Sequence, residues 1–221
     1  MSLEDEIELG CTKNTISALH DQMGRDFVYT ANAEGGLTVL NAEDPENLEV
    51  ESNVPSSSFN NLTVNRIIQH GNLLYIPIGS MFGAHDQPSG LAIVSVENPL
   101  FPEVLDVWES EENAGAAHVA LQGNFAFLCG LSNGVIILNI IDPSAISFVS
   151  QYIPPTDWPS GTDVEKIKAR NIVLDGDIAY LAYDAGGMRV LQLGVDMTFS
   201  EIGRYSNPAM NGAARAYNNM V

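Results

Sequence analysis

Four short aliphatic runs, each opened by glycine, recur along the chain: GLTVLN from Gly36, GLAIVSV from Gly90, GVIILNI from Gly134 and GMRVLQL from Gly187. Upstream of each lies a second run headed by Asp or Asn: DFVYTA from Asp26, NLLYIP from Asn72, NFAFLC from Asn124 and DIAYLA from Asp177. An aromatic always stands third after the polar residue, at Tyr29, Tyr75, Phe127 and Tyr180, with spacings of 46, 52 and 53 residues. Short β-branched and aromatic runs bounded by Gly, Asn and Asp are strand signals, and a period near fifty is that of propeller blades.

Two further strands complete each unit. One precedes the aromatic run, clearest in VNRIIQ, HVALQ and RNIVLD, and is joined to it by Gly71-Asn72, Gly123-Asn124 or Gly176-Asp177. These pairs suit tight hairpins, because glycine reaches positive φ without a Cβ clash. The other follows the glycine-led run as LEVES, EVLDVW, ISFVSQY and FSEIGRY. Asp44-Pro45, Asn98-Pro99 and Asp142-Pro143 lie eight and nine residues after their glycines, whereas the fourth copy has Val195-Asp196 there. Four strands joined by short or medium loops describe an antiparallel blade.

The pattern therefore predicts an all-β propeller of four-stranded antiparallel blades over about 14–52, 64–107, 117–152 and 167–205. Residues 213–221 begin like the first strand of a fifth, so the count favours the front part of a larger propeller. Residues 1–13 read as a mobile acidic lead-in to the 14–221 propeller.

The glycine-led strand with its Asp-Pro turn, together with the Gly-Asn-aromatic hairpin, resembles the LVIVD-repeat proteins over roughly residues 14–221. The resemblance implies a β-propeller of the bacterial or archaeal cell envelope or extracellular space. It implies no shared activity and carries over no catalytic residue.

Composition narrows the partners. With 28 acidic against 9 basic side chains in 221 residues, the formal charge is −19, and a nucleic acid would meet broad repulsion. No run approaches the roughly 20 apolar residues of a membrane helix, so membrane insertion is not expected. Cys129 falls inside a strand and reads as a free buried thiol.

Alternating strand direction places the first–second and third–fourth turns on one side of the disc. The remaining connections lie on the other, including an insertion near Gly79–Ser89 and links near 53–63, 109–116 and 153–167. Long irregular loops carry function more often than tight turns, so binding is expected on that side. Arg66 and His118 each lie six residues before their hairpin Asn, Arg170 lies seven before Asp177, and Arg215 stands where a fifth blade would begin. Together they suggest a positive collar at the channel mouth for a protein or small anionic ligand. The plain alternative is that each pairs with a neighbouring carboxylate.

Trp158, in PPTDWPSG, is the better exposed stacking aromatic, and Trp108 borders another long loop. His85, Asp86 and His118 form a weak metal candidate, without the spacing of a known motif. Lys166 and Lys168 read as a solvated edge. No phosphate-cradling loop precedes a helix, and no cofactor motif is present. The sequence favours a non-catalytic binding module, with a channel-mouth hydrolase or lyase, or a structural spacer, as alternatives. Association through an open blade edge is expected if the chain is a fragment.

Overall fold

The computed structural model describes residues 15–81 and 86–206. Sixteen strands form four separate four-stranded antiparallel sheets, each in simple sequence order. Blade 1 comprises β1 (Ser17–His20), β2 (Phe27–Ala31), β3 (Leu37–Asn41) and β4 (Glu49–Val54). Blade 2 comprises β5 (Ile68–His70), β6 (Leu73–Ile78), β7 (Pro88–Ser95) and β8 (Glu103–Asn113). Blade 3 holds β9 (His118–Gln122), β10 (Phe125–Cys129), β11 (Val135–Asn139) and β12 (Ser147–Tyr152). Blade 4 holds β13 (Asn171–Asp175), β14 (Ile178–Ala182), β15 (Met188–Leu193) and β16 (Phe199–Tyr205). The expected repeat is thus observed as a propeller-type array, and the glycine-led runs are the equivalent third strands. The putting-together of β8 differs from expectation in one respect: it continues to Asn113, well past the predicted blade boundary at 107.

Turn chemistry fixes the sheets locally. Gly71, Gly123 and Gly176 take φ of 60°, 58° and 61° in the hairpins between first and second strands. In the other tight turn, the carboxylate or amide oxygens of Asp44, Asn98 and Asp142 accept backbone N–H bonds from Glu46, Leu100 and Ser144. Asp196 accepts from the Thr198 amide in the same way, so the fourth copy keeps the Asx turn without its proline.

Register then sorts side chains onto two faces. Tyr29 lies opposite Val39, Tyr75 opposite Ile93, Phe127 opposite Ile137 and Tyr180 opposite Val190. In blades 1 to 3 this face points forward, onto the aliphatic back face of the next blade. Tyr29 and Val39 pack with Leu74, Ile76 and Val94. Tyr75 and Ile93 pack with Leu128 and Leu138. Phe127 and Ile137 pack with Leu181 and Leu191. The core is these three seams, and among the described residues no apolar cluster joins blade 4 to blade 1.

Polar staples add to the seams. The Asn65 side-chain amide donates to the carbonyls of Gly79 (2.5 Å) and Ala116 (2.8 Å), tying blade 2 to blade 3. Between blades 1 and 2, buried Asp21 accepts from Arg25, Tyr29 and Gln69, while Arg25 also donates to the Val96 carbonyl.

Candidate functional site

Of the expected collar, Arg215 lies outside the described residues, and the structure sets Arg170 apart from Arg66 and His118. Arg66 and His118 occupy matching positions, and His118 lies directly across from Cys129. The Arg66 charge is felt by both. Burial, then that charge, pushes the His118 imidazole down to about 3, and its Nδ1 has no hydrogen-bond partner. His118 is therefore neutral at physiological pH and adds no positive charge. Burial raises the Cys129 thiol well above its ordinary value, against the opposing pull of Arg66, so this pair supplies no thiolate nucleophile.

Arg170 enters its strand one position out of step. Its amide bonds the Ala182 carbonyl just as the Asn65 amide bonds Pro77 and the Ala117 amide bonds Cys129, so Arg170 shares the slot of Asn65 and Ala117 rather than that of Arg66. A shift of one residue turns a strand side chain to the other face. Arg170 ion-pairs with Asp184 at 2.6 Å and donates to the Met81 carbonyl at 3.1 Å. Arg215 and His85 lie outside the described residues. Asp86 accepts from Ser80 Oγ at 2.9 Å, and among the described residues no three His, Cys, Asp or Glu side chains gather as metal ligands.

Trp158 is part of a clamp that the sequence did not reveal. Its ring covers the guanidinium of Arg189 at 5.2 Å, with the Tyr183 ring also against that group at 5.6 Å. Arg189 is completely buried. It ion-pairs with Glu201 at 3.1 Å and donates to the carbonyls of Pro155, Trp158 and Gly186. Five donors in a planar fork suit this task, holding the 153–159 loop against blade 4. The signal was present: Arg189 stands where the other glycine-led runs carry Thr38, Ala92 and Ile136. Lys168, expected to be solvated, is also buried and donates to Ser132 Oγ at 2.6 Å.

The long-loop side does carry a cleft, away from those residues. Between the outer strands β8 and β12 lies a cavity of about 440 Å³, lined by Trp108, Glu109, Glu111, Glu112, Phe148 and Gln151 among others. The extra length of β8 places Glu109 to Glu112 beside the blade 3 turn that carries Asn133. Trp108 and Phe148 stack at 6.4 Å between centroids with planes 16° apart, and Phe148 is 54% exposed.

Neutral polar groups of the cleft bond one another. Asn133 Nδ2 donates to the Glu112 carbonyl, Ser110 Oγ to the same carbonyl, and Gln151 Nε2 to the Asn133 carbonyl. Glu109 accepts from the Asn60 amide. Among the described residues no Lys or Arg pairs with Glu109, Glu111 or Glu112. The cleft thus offers an aromatic wall beside carboxylates that no described Lys or Arg pairs with.

Comparison with known proteins agrees with the repeat. Residues 114–153 match the LVIVD repeat. The fold is similar to the crystal structure of the computationally designed Ika4 protein, with 10% identity and a TM-score of 0.55, over 86% of this chain and 100% of that chain. No curated protein matches in sequence.

Proposed function

We propose that this LVIVD-repeat propeller is a non-catalytic binding module of the cell envelope or extracellular space, and that it takes a basic, partly apolar segment of a partner protein in the cleft between blades 2 and 3. The observation that carries the reading is the stacked Trp108–Phe148 wall beside three carboxylates that have no basic partner among the described residues. An aliphatic or aromatic side chain gains by covering the ring faces. A neighbouring Lys or Arg gains from the carboxylates, and the overall charge of −19 steers such a segment inward. The cell-envelope location rests on the family resemblance.

The test is calorimetric titration of the whole chain with short peptides that alternate Lys or Arg with Leu, against Glu-substituted controls. The basic peptides bind, binding weakens with added salt, and the double substitution Glu111→Lys with Glu112→Lys lowers affinity at least about tenfold, the size of one lost charge-assisted contact. Equal binding of acidic and basic peptides, or full affinity in the Phe148→Ala variant, would sink the proposal.

A further inference from the structure

Blade 4 repeats the forward face of the other three blades, but among the described residues no sheet covers that face. In blades 1 to 3 the forward aromatics Tyr29, Tyr75 and Phe127 are 0%, 5% and 1% exposed, and their partners Val39, Ile93 and Ile137 are fully buried. Tyr180 and Val190 hold the same places in blade 4 and are only half-buried. Met188, opposite Ala182, stands where Leu37, Leu91 and Val135 are buried, and it too is half-buried. Val173, across from Tyr180 on the first strand, is 39% exposed, and Tyr205, across from Met188, is 60% exposed. Asp175, at the hairpin end, is the one charged side chain that register places on this face.

Every equivalent face in the molecule is buried against an apolar sheet, so this one is the continuation of an established interface. The back face of blade 1 offers such a sheet only at one end, where Val28 lies opposite Leu40. It presents Thr30 and Thr38 where the other back faces carry Ile76 and Ala92 or Leu128 and Ile136. Those threonines, Asn32 and Asn53 are bonded to one another: Asn32 Nδ2 donates to both hydroxyls, and Thr38 donates to Asn53. A head-to-tail contact between copies would lay Tyr180 and Val190 on this saturated polar network, where apolar burial gains little.

We infer that the forward face of blade 4 is a self-association surface, on which Tyr180, Val190, Met188 and Val173 pack against the same residues of a second copy about a two-fold axis. An isologous contact is the arrangement in which the apolar face meets an apolar partner using what one chain provides. Four strands about 4.8 Å apart and five residues long span roughly 300–400 Å² per copy. That is about half of a standard interface side, so the dimer is weak and half-formed at tens of micromolar. Both copies are strongly acidic, while the contact itself is nearly uncharged. Added salt therefore screens the repulsion and tightens association.

Sedimentation equilibrium of the whole chain from about 1 to about 200 µM, the range a small apolar contact occupies, tests this directly. A monomer–dimer equilibrium is expected, shifted toward dimer by salt. Tyr180→Glu and, independently, Val190→Glu return the protein to monomer with an unchanged circular dichroism spectrum, while Phe101→Ser on the tight-turn side leaves the dimer intact. A monomer at every concentration and salt level overturns the inference, as does a dimer indifferent to both variants. Open-ended oligomers, or a dimer that Val50→Glu on the blade 1 back face also abolishes, would assign the contact to a head-to-tail arrangement and overturn the two-fold one. A monomer that dimerises only after removal of residues 207–221 would give the face to that segment, and also overturns it.

Discussion

Blades 3 and 4 have the same strand order and nearly the same register, yet β10 and β11 are buried on both faces whereas β14 and β15 alternate between buried and half-buried. The difference lies in the neighbours, since the residue patterns are alike. Phe127 has Leu181 and Leu191 of the next blade in front of it, and Tyr180 has no described equivalent. A side chain type recurring once per repeat therefore signals a seam only when a following blade is there to close it. Blade 4 compensates on its other face by drawing a loop onto Arg189.

The largest expected break in this comparison comes from truncating the two aromatics. Phe127→Ala, which opens a cavity in a closed seam, costs about 3–5 kcal/mol in urea unfolding. Tyr180→Ala costs about 1 kcal/mol, since a half-buried ring leaves no enclosed void. Equal losses would mean that the two faces are equally closed.

Arg189 comes next. Replacing it with Ala leaves Glu201 with Arg204 alone and strands three loop carbonyls, and about 3 kcal/mol is expected, with proteolysis appearing first within residues 153–163. Arg204, 35% exposed and also paired with Glu201, costs less than about 1 kcal/mol when changed to Ala. Because residues 153–163 contain no Lys or Arg, a broad-specificity protease such as proteinase K is the probe, and a loop that resists it in the Arg189→Ala protein would contradict the clamp.

Glycine substitutions sharpen the contrast between seam-side turns and open hairpins. A Cβ on Gly134, at φ 68°, meets the Tyr152 carbonyl oxygen at 2.3 Å, while one on Gly176, at φ 61°, meets nothing within 4 Å. Gly134→Ala therefore loses more than about 2 kcal/mol and Gly176→Ala about 1 kcal/mol, the latter from backbone strain alone. Thermal melts of the pair measure this ordering.

A last contrast separates seam 1–2 from the others by pH. Burial acts to raise the Asp21 carboxyl, but bonds from Arg25, Tyr29, the Met23 amide and Gln69 outweigh it and hold the group down to about 2. A depressed acid stabilises the fold above its unfolded pKa and loses that contribution as pH falls through its folded value. About 2 kcal/mol should thus disappear between roughly pH 4 and pH 2, and Asp21→Asn should flatten the stability profile in that window.

The blades were legible in the sequence because each strand is a local pattern of apolar alternation and turn residues that repeats at a near-constant period. Gly36, Tyr29 and Asp44 each carry their meaning within a few neighbours. The cleft was not legible, since it arises from the length of β8 and from which outer strands face each other. Trp108 and Phe148 are 40 residues apart, and nothing local marks them as stacked. Reading the long-loop side as the binding side led toward the cleft without selecting its residues. Arg170 shows how narrow the margin is: counted by spacing it stands with Arg66 and His118, but its one-residue offset turns it toward Asp184 and Met81.

Hydroxyl-radical footprinting of the dilute monomer asks most directly whether three seams are closed and the fourth face is open. Tyr180 and Met188 should be oxidised readily, while Tyr29, Tyr75 and Phe127 remain protected until the protein unfolds. Protection of Tyr180 equal to that of Tyr29 in the dilute monomer would contradict the account.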